Sequence, residues 1–159
     1  MVRTFVALLI PKDWAEYLGR VEQDLASRMS GLSWVKPENL HFTLRFFGDL
    51  GDSGVTRAGD AVERGAGEAR AFQARLGSLG GFPSLDQPRV LWAGLAEGSE
   101  GAMDLARAVN EALRRDGFGP PDKPFRPHLT LARVREGARG MDALRGYAPP
   151  PPPGDAVLE

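Results

Sequence analysis

Two stretches of this chain run through the same order of events. Each has an arginine, an apolar β-like run, an amphipathic helix, a loop and a strand that opens on histidine. The first copy leads from Arg3 to His41, and the second, of nearly equal length, from Arg89 to His128. Each closes on one phrase, His41-Phe42-Thr43-Leu44 and His128-Leu129-Thr130-Leu131, and these are the 2 histidines of the chain. A duplication this long, in two copies, is not a solenoid. It predicts two βα-containing halves facing each other about a pseudo-twofold axis, with a cleft between them.

Side chains alternate across a strand, so His41 and Thr43 take one face while Phe42 and Leu44 take the other; His128 and Thr130 stand likewise against Leu129 and Leu131. The apolar pairs bury in the sheet and the polar pairs face the cleft. Two imidazoles and two hydroxyls then converge, a set suited to phosphodiester chemistry without a metal. One histidine takes a proton from the attacking group and the other gives one to the leaving oxygen. An ordinary imidazole pKa of about 6.5 makes both forms available near neutral pH. The threonine hydroxyls can hold non-bridging phosphate oxygens, and an arginine would stabilise the charge that builds on them. Under regular alternation Arg45 shares the face of His41, whereas Arg133 reaches the cleft only through a bulge, a bend or the end of its strand.

Composition excludes several classes. A net charge of −1 argues against a protein that coats long nucleic acid, though not against one that holds a single terminal phosphate. There are 0 cysteines, hence no disulfide, no thiolate nucleophile and no zinc finger. No His-Glu-x-x-His, phosphate-binding Gly-x-x-x-x-Gly-Lys or serine-nucleophile elbow occurs. The expectation is an enzyme with no metal and no cofactor. The longest apolar run, Phe5 to Ile10, is too short to cross a bilayer, and the N-terminus lacks the layout of a signal peptide. A cytoplasmic monomer with no membrane partner is expected, folded as one domain over residues 1–159 with a His41 half and a His128 half.

Along the chain the pattern predicts a strand over Thr4–Ile10 and a helix capped by Asp13 that runs to about Met29. A turn region holding Trp34 lies between Gly31 and Pro37, and a strand follows over Leu40–Phe47. Next come a glycine-weakened helix over Val55–Arg70, a strand over Phe72–Leu79, a Gly80–Pro83 loop and a strand over Arg89–Leu95. Gly98–Gly101 reads as a turn before a helix over Met103–Arg115. A proline-punctuated loop over Gly117–Pro127 leads to the second histidine strand, through Val134. Gly140–Gly146 reads as a helical turn or two, Pro149–Pro153 as extended chain, and Val157-Leu158 as the start of a strand. Phe5, Trp34 and Trp92 are candidates for stacking on a nucleobase.

At these residues the chain resembles the 2H phosphoesterase superfamily, and within it the LigT-like RNA 2′,3′-cyclic phosphodiesterases, also called 2′-5′ RNA ligases. The resemblance covers about residues 3 to 158. It takes in Arg3-Thr4-Phe5-Val6-Ala7, Trp34-Val35-Lys36-Pro37-Glu38-Asn39-Leu40 with the first histidine phrase, and Phe46-Phe47-Gly48-Asp49. It continues through Arg89-Val90-Leu91-Trp92-Ala93-Gly94-Leu95 and Phe125-Arg126-Pro127 with the second phrase, to Ala132-Arg133. The resemblance implies an α+β fold, a bilobal duplication with two antiparallel-rich sheets lining a central cleft and helices outside. It implies metal-independent hydrolysis of a terminal 2′,3′-cyclic phosphate on RNA to a 2′-phosphate. His41 is then the general acid and His128 the base, with Thr43, Thr130 and Arg133 on the phosphate. RNA 3′ ends or cyclic nucleotides are the implied substrates. The family pattern continues past Glu159 with more strand; if the strand that starts at Val157-Leu158 is absent, one sheet edge is expected to stand open.

Two other readings compete. The same site run in reverse would join a 2′,3′-cyclic phosphate to a 5′-hydroxyl, making a 2′-5′ RNA ligase. A non-catalytic RNA- or nucleotide-binding module would have no need of two proton-transfer groups.

Overall fold

The computed structural model describes residues 1–158. Seven strands and three helices alternate: β1 (Val2–Leu9), α1 (Lys12–Ala26), β2 (Ser30–Trp34), β3 (His41–Leu50), α2 (Asp52–Glu68), β4 (Phe72–Phe82), β5 (Val90–Glu97), α3 (Ser99–Arg115), β6 (Leu129–Arg139) and β7 (Ala156–Leu158). Short 3-10 turns at Pro37–Asn39 and Met141–Leu144 complete the chain. The strands form one seven-stranded sheet, six of them in the order β1-β3-β6-β5-β4-β7, with β2 off this path on β6. All pairings are antiparallel.

The path is two antiparallel groups meeting at a single joint. β1 and β3 pair over nearly their whole length, β4 and β5 over most of theirs, and β5 pairs with β6 from Val90 to Ala93. β3 touches β6 only where Phe42 faces Leu129. Both side chains are fully buried, so the joint is a hydrophobic contact as well as a backbone one. Phe42 and Leu129 hold matching places in the two repeated phrases, which sets the pseudo-twofold relation of the halves at this pair. The fold is α+β, with a bilobal duplication.

The helices bury their apolar stripes under the sheet. Trp14, Leu18, Val21 and Leu25 of α1 are almost wholly inaccessible, as are Val109 and Leu113 of α3. The glycines of α2 do not break it. A Cβ at Gly65 would lie 2.8 Å from both the Ala108 carbonyl oxygen and the Val109 Cα, so glycine here lets α2 and α3 cross backbone to backbone. Among the described residues no helix is long and apolar enough to cross a membrane.

Several expected boundaries move. The region read as a turn around Trp34 is strand β2, which pairs with β6 and is short enough that its alternation is weak. Gly80 to Phe82 belong to β4 and pair with Val90 to Trp92 rather than forming a loop. The Gly98–Gly101 turn is already the start of α3: Gly98, at φ 100°, takes the left-handed conformation before the helix, which begins at Ser99. Pro11, not Asp13, precedes α1, and Asp13 sits in its first turn with Oδ1 accepting a hydrogen bond from the Trp14 amide. The strand start read at Val157-Leu158 is present: β7 pairs Ala156–Leu158 with Phe72–Ala74 of β4 over three positions.

Candidate active site

Thr43 of the first histidine phrase and His128 and Thr130 of the second line one cleft, and His41 is not among the residues that line it. Phe42, Leu44, Leu129 and Leu131 are buried beneath the sheet, while His41, Thr43, His128 and Thr130 remain accessible on its other face. The Phe42–Leu129 joint crosses the halves. Carrying its antiparallel register one residue each way sets Thr43 opposite His128 and His41 opposite Thr130. Each imidazole therefore has the other half's hydroxyl as its neighbour across the joint.

The two rings are fixed in the same way. Nδ1 of His41 is 2.6 Å from the Asn39 carbonyl oxygen, and Nδ1 of His128 is 2.6 Å from the Arg126 carbonyl oxygen. A carbonyl oxygen only accepts, so each Nδ1 carries a proton and donates it. Nε2 is the ring nitrogen not engaged by these carbonyls, in both copies. Aromatic packing holds the ring planes. Phe5 stacks on His41 with centroids 5.1 Å apart and planes at 24°. Phe82 meets His128 edge-on at 5.4 Å, and Trp92 stands 6.3 Å from the same imidazole.

Past the threonines both strands break their alternation, and this decides where the arginines go. Val6 pairs with Arg45 and Ala7 with Thr43, which leaves Leu44 as an extra residue; Leu91 pairs with Ala132 and Trp92 with Thr130, which leaves Leu131 as another. In β6 the bulge buries Leu131 and Ala132 in succession and turns Arg133 to the side of His128 and Thr130. In β3 it buries Leu44 and Arg45 in succession and turns Phe46 to the cleft.

Arg45 still borders the cleft, but the expectation that it shares the face of His41 fails for its guanidinium, which is buried and spent elsewhere. Its guanidinium runs under the sheet, donating to Asn110 Oδ1 of α3 at 2.9 Å and to the Gly119 carbonyl at 2.6 Å. Burial draws its pKa down, partly offset by the charge of Asp122.

A cavity of about 790 Å³ lies along this face, lined by Thr43, His128, Thr130 and Arg133, and also by Arg3, Phe46, Phe82, Lys123, Phe125 and Arg126. Its basic side chains outnumber its one carboxylate, Asp122. Most of the outer arginines are tied up in ion pairs, such as Arg75 with Glu97 and Arg114 with Glu111. Among the described residues Arg3, Lys123, Arg126 and Arg133 have no acidic partner. A concave site with unspent cations suits an anion.

Of the three stacking candidates, Phe5 is half-exposed against His41 and Trp92 lies beside His128, its buried indole N–H without a partner. Trp34 is not brought to the cleft: it pairs with the buried Ala132 and packs against the core. Phe46, Phe82, Arg3, Lys123 and Arg126 went unread as site residues. Only Arg126, two residues before a histidine and next to a proline, carried a usable local signal.

The sequence matches the family model described as LigT like Phosphoesterase over residues 8–92 and 95–146. The chain belongs to that family. LigT-like relatives include proteins named RNA 2′,3′-cyclic phosphodiesterase from Methanothermobacter thermautotrophicus, 34% identical over 90% of this chain and 76% of theirs, and from Archaeoglobus fulgidus, 35% identical over 92% and 81%. The crystal structure of TT0787 of Thermus thermophilus superposes with a TM-score of 0.80 at 28% identity, covering 99% of this chain and 85% of that one. The LigT fold of Escherichia coli, solved in complex with 3′-AMP, superposes at 0.65 with 26% identity, over 98% and 83%.

Proposed function

We propose that this protein hydrolyses the 2′,3′-cyclic phosphate at an RNA 3′ end to a 2′-phosphate, with His41 as acid, His128 as base and no metal or cofactor. The observation that carries the reading is the paired anchoring of the two imidazoles, each with Nδ1–H spent on a carbonyl and Nε2 free. The names of LigT-like relatives support the substrate class.

In this scheme His128 takes a proton from water as its oxygen attacks phosphorus. The bond from phosphorus to O3′ breaks, and His41 supplies the proton to O3′. Thr43 and Thr130 donate to non-bridging oxygens, and Arg133 offsets the charge that builds on them. Water is the only co-reactant, and the proton taken by one histidine replaces the one given by the other. The enzyme acts as a single domain and a monomer in the cytoplasm, on RNA ends or cyclic nucleotides.

A short RNA ending in a 2′,3′-cyclic phosphate, incubated with EDTA, tests this against His41→Ala and His128→Ala. The expected result is a 2′-phosphate end, a loss of about 10²- to 10⁴-fold in each variant, and a bell-shaped dependence of rate on pH. Near-full rate in either variant sinks the acid–base assignment. A 3′-phosphate product reverses the bond that breaks, and loss of activity in EDTA brings back a metal.

A further inference from the structure

The two halves of the cleft differ at one pair of matching positions. Phe5 pairs with Phe46 in the first half as Val90 pairs with Arg133 in the second, and both Phe46 and Arg133 follow their bulge immediately. The duplicated scaffold therefore places an aromatic ring where its twin carries a cation. Phe46 is nearly half exposed (46%) and lines the cleft.

Arg3 supplies a cation there from a different strand. Its guanidinium lies over the Phe46 ring, 5.1 Å from the centroid. No carboxylate among the described residues pairs with it, so the ring fixes its plane while its N–H edge stays unspent. Arg3 also borders both the catalytic cavity and a second, shallower one of about 450 Å³ between β1 and the start of α2. It stands where the cleft opens toward the rest of the surface.

Distance separates Arg3 from the reacting phosphate. Ala7 is the β1 residue paired with Thr43, and Arg3 lies four residues further toward the N-terminus. At about 3.3 Å per residue that is roughly 13 Å of strand. The reacting group already has Arg133 beside His128 and Thr130.

Resting on the phosphodiesterase reading above, we infer that Arg3, held flat by Phe46, grips the internucleotide phosphate next to the terminal nucleotide, so that the enzyme prefers an RNA chain over a mononucleotide. The guanidinium presents two parallel N–H donors to that phosphate, and Phe46 keeps them aimed. The pair marks the side of the cleft by which the RNA leaves: the reacting phosphate sits toward Arg133 and the 5′ chain crosses Phe46.

The test compares kcat/KM for adenosine 2′,3′-cyclic phosphate with that for a dinucleotide ending in the same cyclic phosphate, in the wild-type protein, Arg3→Ala, Arg3→Lys and Phe46→Leu. The dinucleotide-to-mononucleotide ratio is expected to fall about tenfold in Arg3→Ala, the loss of one charge-assisted contact. It should recover partly in Arg3→Lys and fall less in Phe46→Leu. A dinucleotide with a neutral methylphosphonate linkage should lose the same factor on the wild-type protein and be indifferent to Arg3→Ala. Equal losses on mononucleotide and dinucleotide would place Arg3 on the reacting phosphate instead, and no loss on either would leave it outside the site; both overturn the inference. Binding of the two ligands to His128→Ala, followed by calorimetry, reads the same ratio without turnover. If the wild-type protein cleaves neither cyclic phosphate, the phosphodiesterase reading falls while this binding ratio still decides the role of Arg3.

Discussion

Leu44 and Leu131 occupy the same place in the two halves: each is the fourth residue of its histidine phrase and each is the extra residue of a β-bulge. The bulge is thus part of the repeat, and it changes which residue follows the threonine onto the cleft face. In the second half that residue is Arg133, while Arg135 runs on to donate to Ser33 Oγ at 2.8 Å. Arg133→Ala is expected to lower kcat by about 10²-fold, the usual cost of removing one charge-stabilising donor. Arg135→Ala should leave kcat nearly unchanged. Steady-state kinetics on a cyclic-phosphate RNA check this, and equal losses in the two variants would mean that the bulge does not aim the cleft's arginine.

In the first half the same bulge turns an arginine under the sheet. Arg45 is 8% exposed and ties β3 to α3 and to the loop at Gly119. That loop continues into Lys123 and Phe125 on the cavity wall. Arg45→Met keeps the aliphatic stem but leaves the Asn110 and Gly119 oxygens without their donor. A loss of about 1.5 to 3 kcal/mol in stability is expected, together with a raised KM as the loop loosens. Urea denaturation and kinetics on the same preparation separate the two effects, and unchanged stability would count against Arg45 as a structural tie.

The halves, the cleft and the histidine–threonine faces were legible because each follows from a period of two and a repeated phrase. The two arginines show where that logic stops. Alternation said that Arg133 reaches the cleft only through an irregular strand, and the irregularity exists at Leu131. The matching bulge at Leu44 has no composition of its own, so the guanidinium of Arg45 was set on the wrong face. β2 was missed because a five-residue strand carries little alternation and its partner β6 is far along the chain, as the Ser33–Arg135 bond across 102 residues shows. Gly80-Gly81 reads as a turn from sequence alone. In the fold it is strand that makes room for a side chain arriving from β5.

That side chain is Trp92. A Cβ placed on Gly80 would fall inside the Trp92 indole, and one on Gly94 would come within 3.2 Å of the same ring. Trp92 in turn packs against Phe82 at 5.3 Å, and both rings border His128. Gly80→Ala is expected to push the indole toward His128 and lower kcat by about tenfold or more, as small misplacements of catalytic groups do. A shift in tryptophan fluorescence should accompany the loss. Full activity with an altered spectrum would show that the His128 ring does not depend on Trp92 for its position.

Far from the cleft, Glu22 is a carboxyl that α1 buries at 5% exposure, and its Oε2 has no partner. Burial pushes its pKa up to about 8, from an ordinary value of 4.5. In the unfolded chain Glu22 loses its proton near 4.5, while the folded protein keeps it until about pH 8. Between these values the native state binds more protons than the unfolded one, so this group makes stability fall as pH rises and then level off above about 8. Glu22→Gln removes the titration and keeps the shape. It should flatten this part of the pH dependence between pH 5 and 8 and raise the melting temperature at pH 8 relative to wild type, with little difference at pH 4.5. Thermal unfolding across that range checks the sign, and parallel curves for the two proteins would show that Glu22 ionises as readily in the folded chain as in the unfolded one.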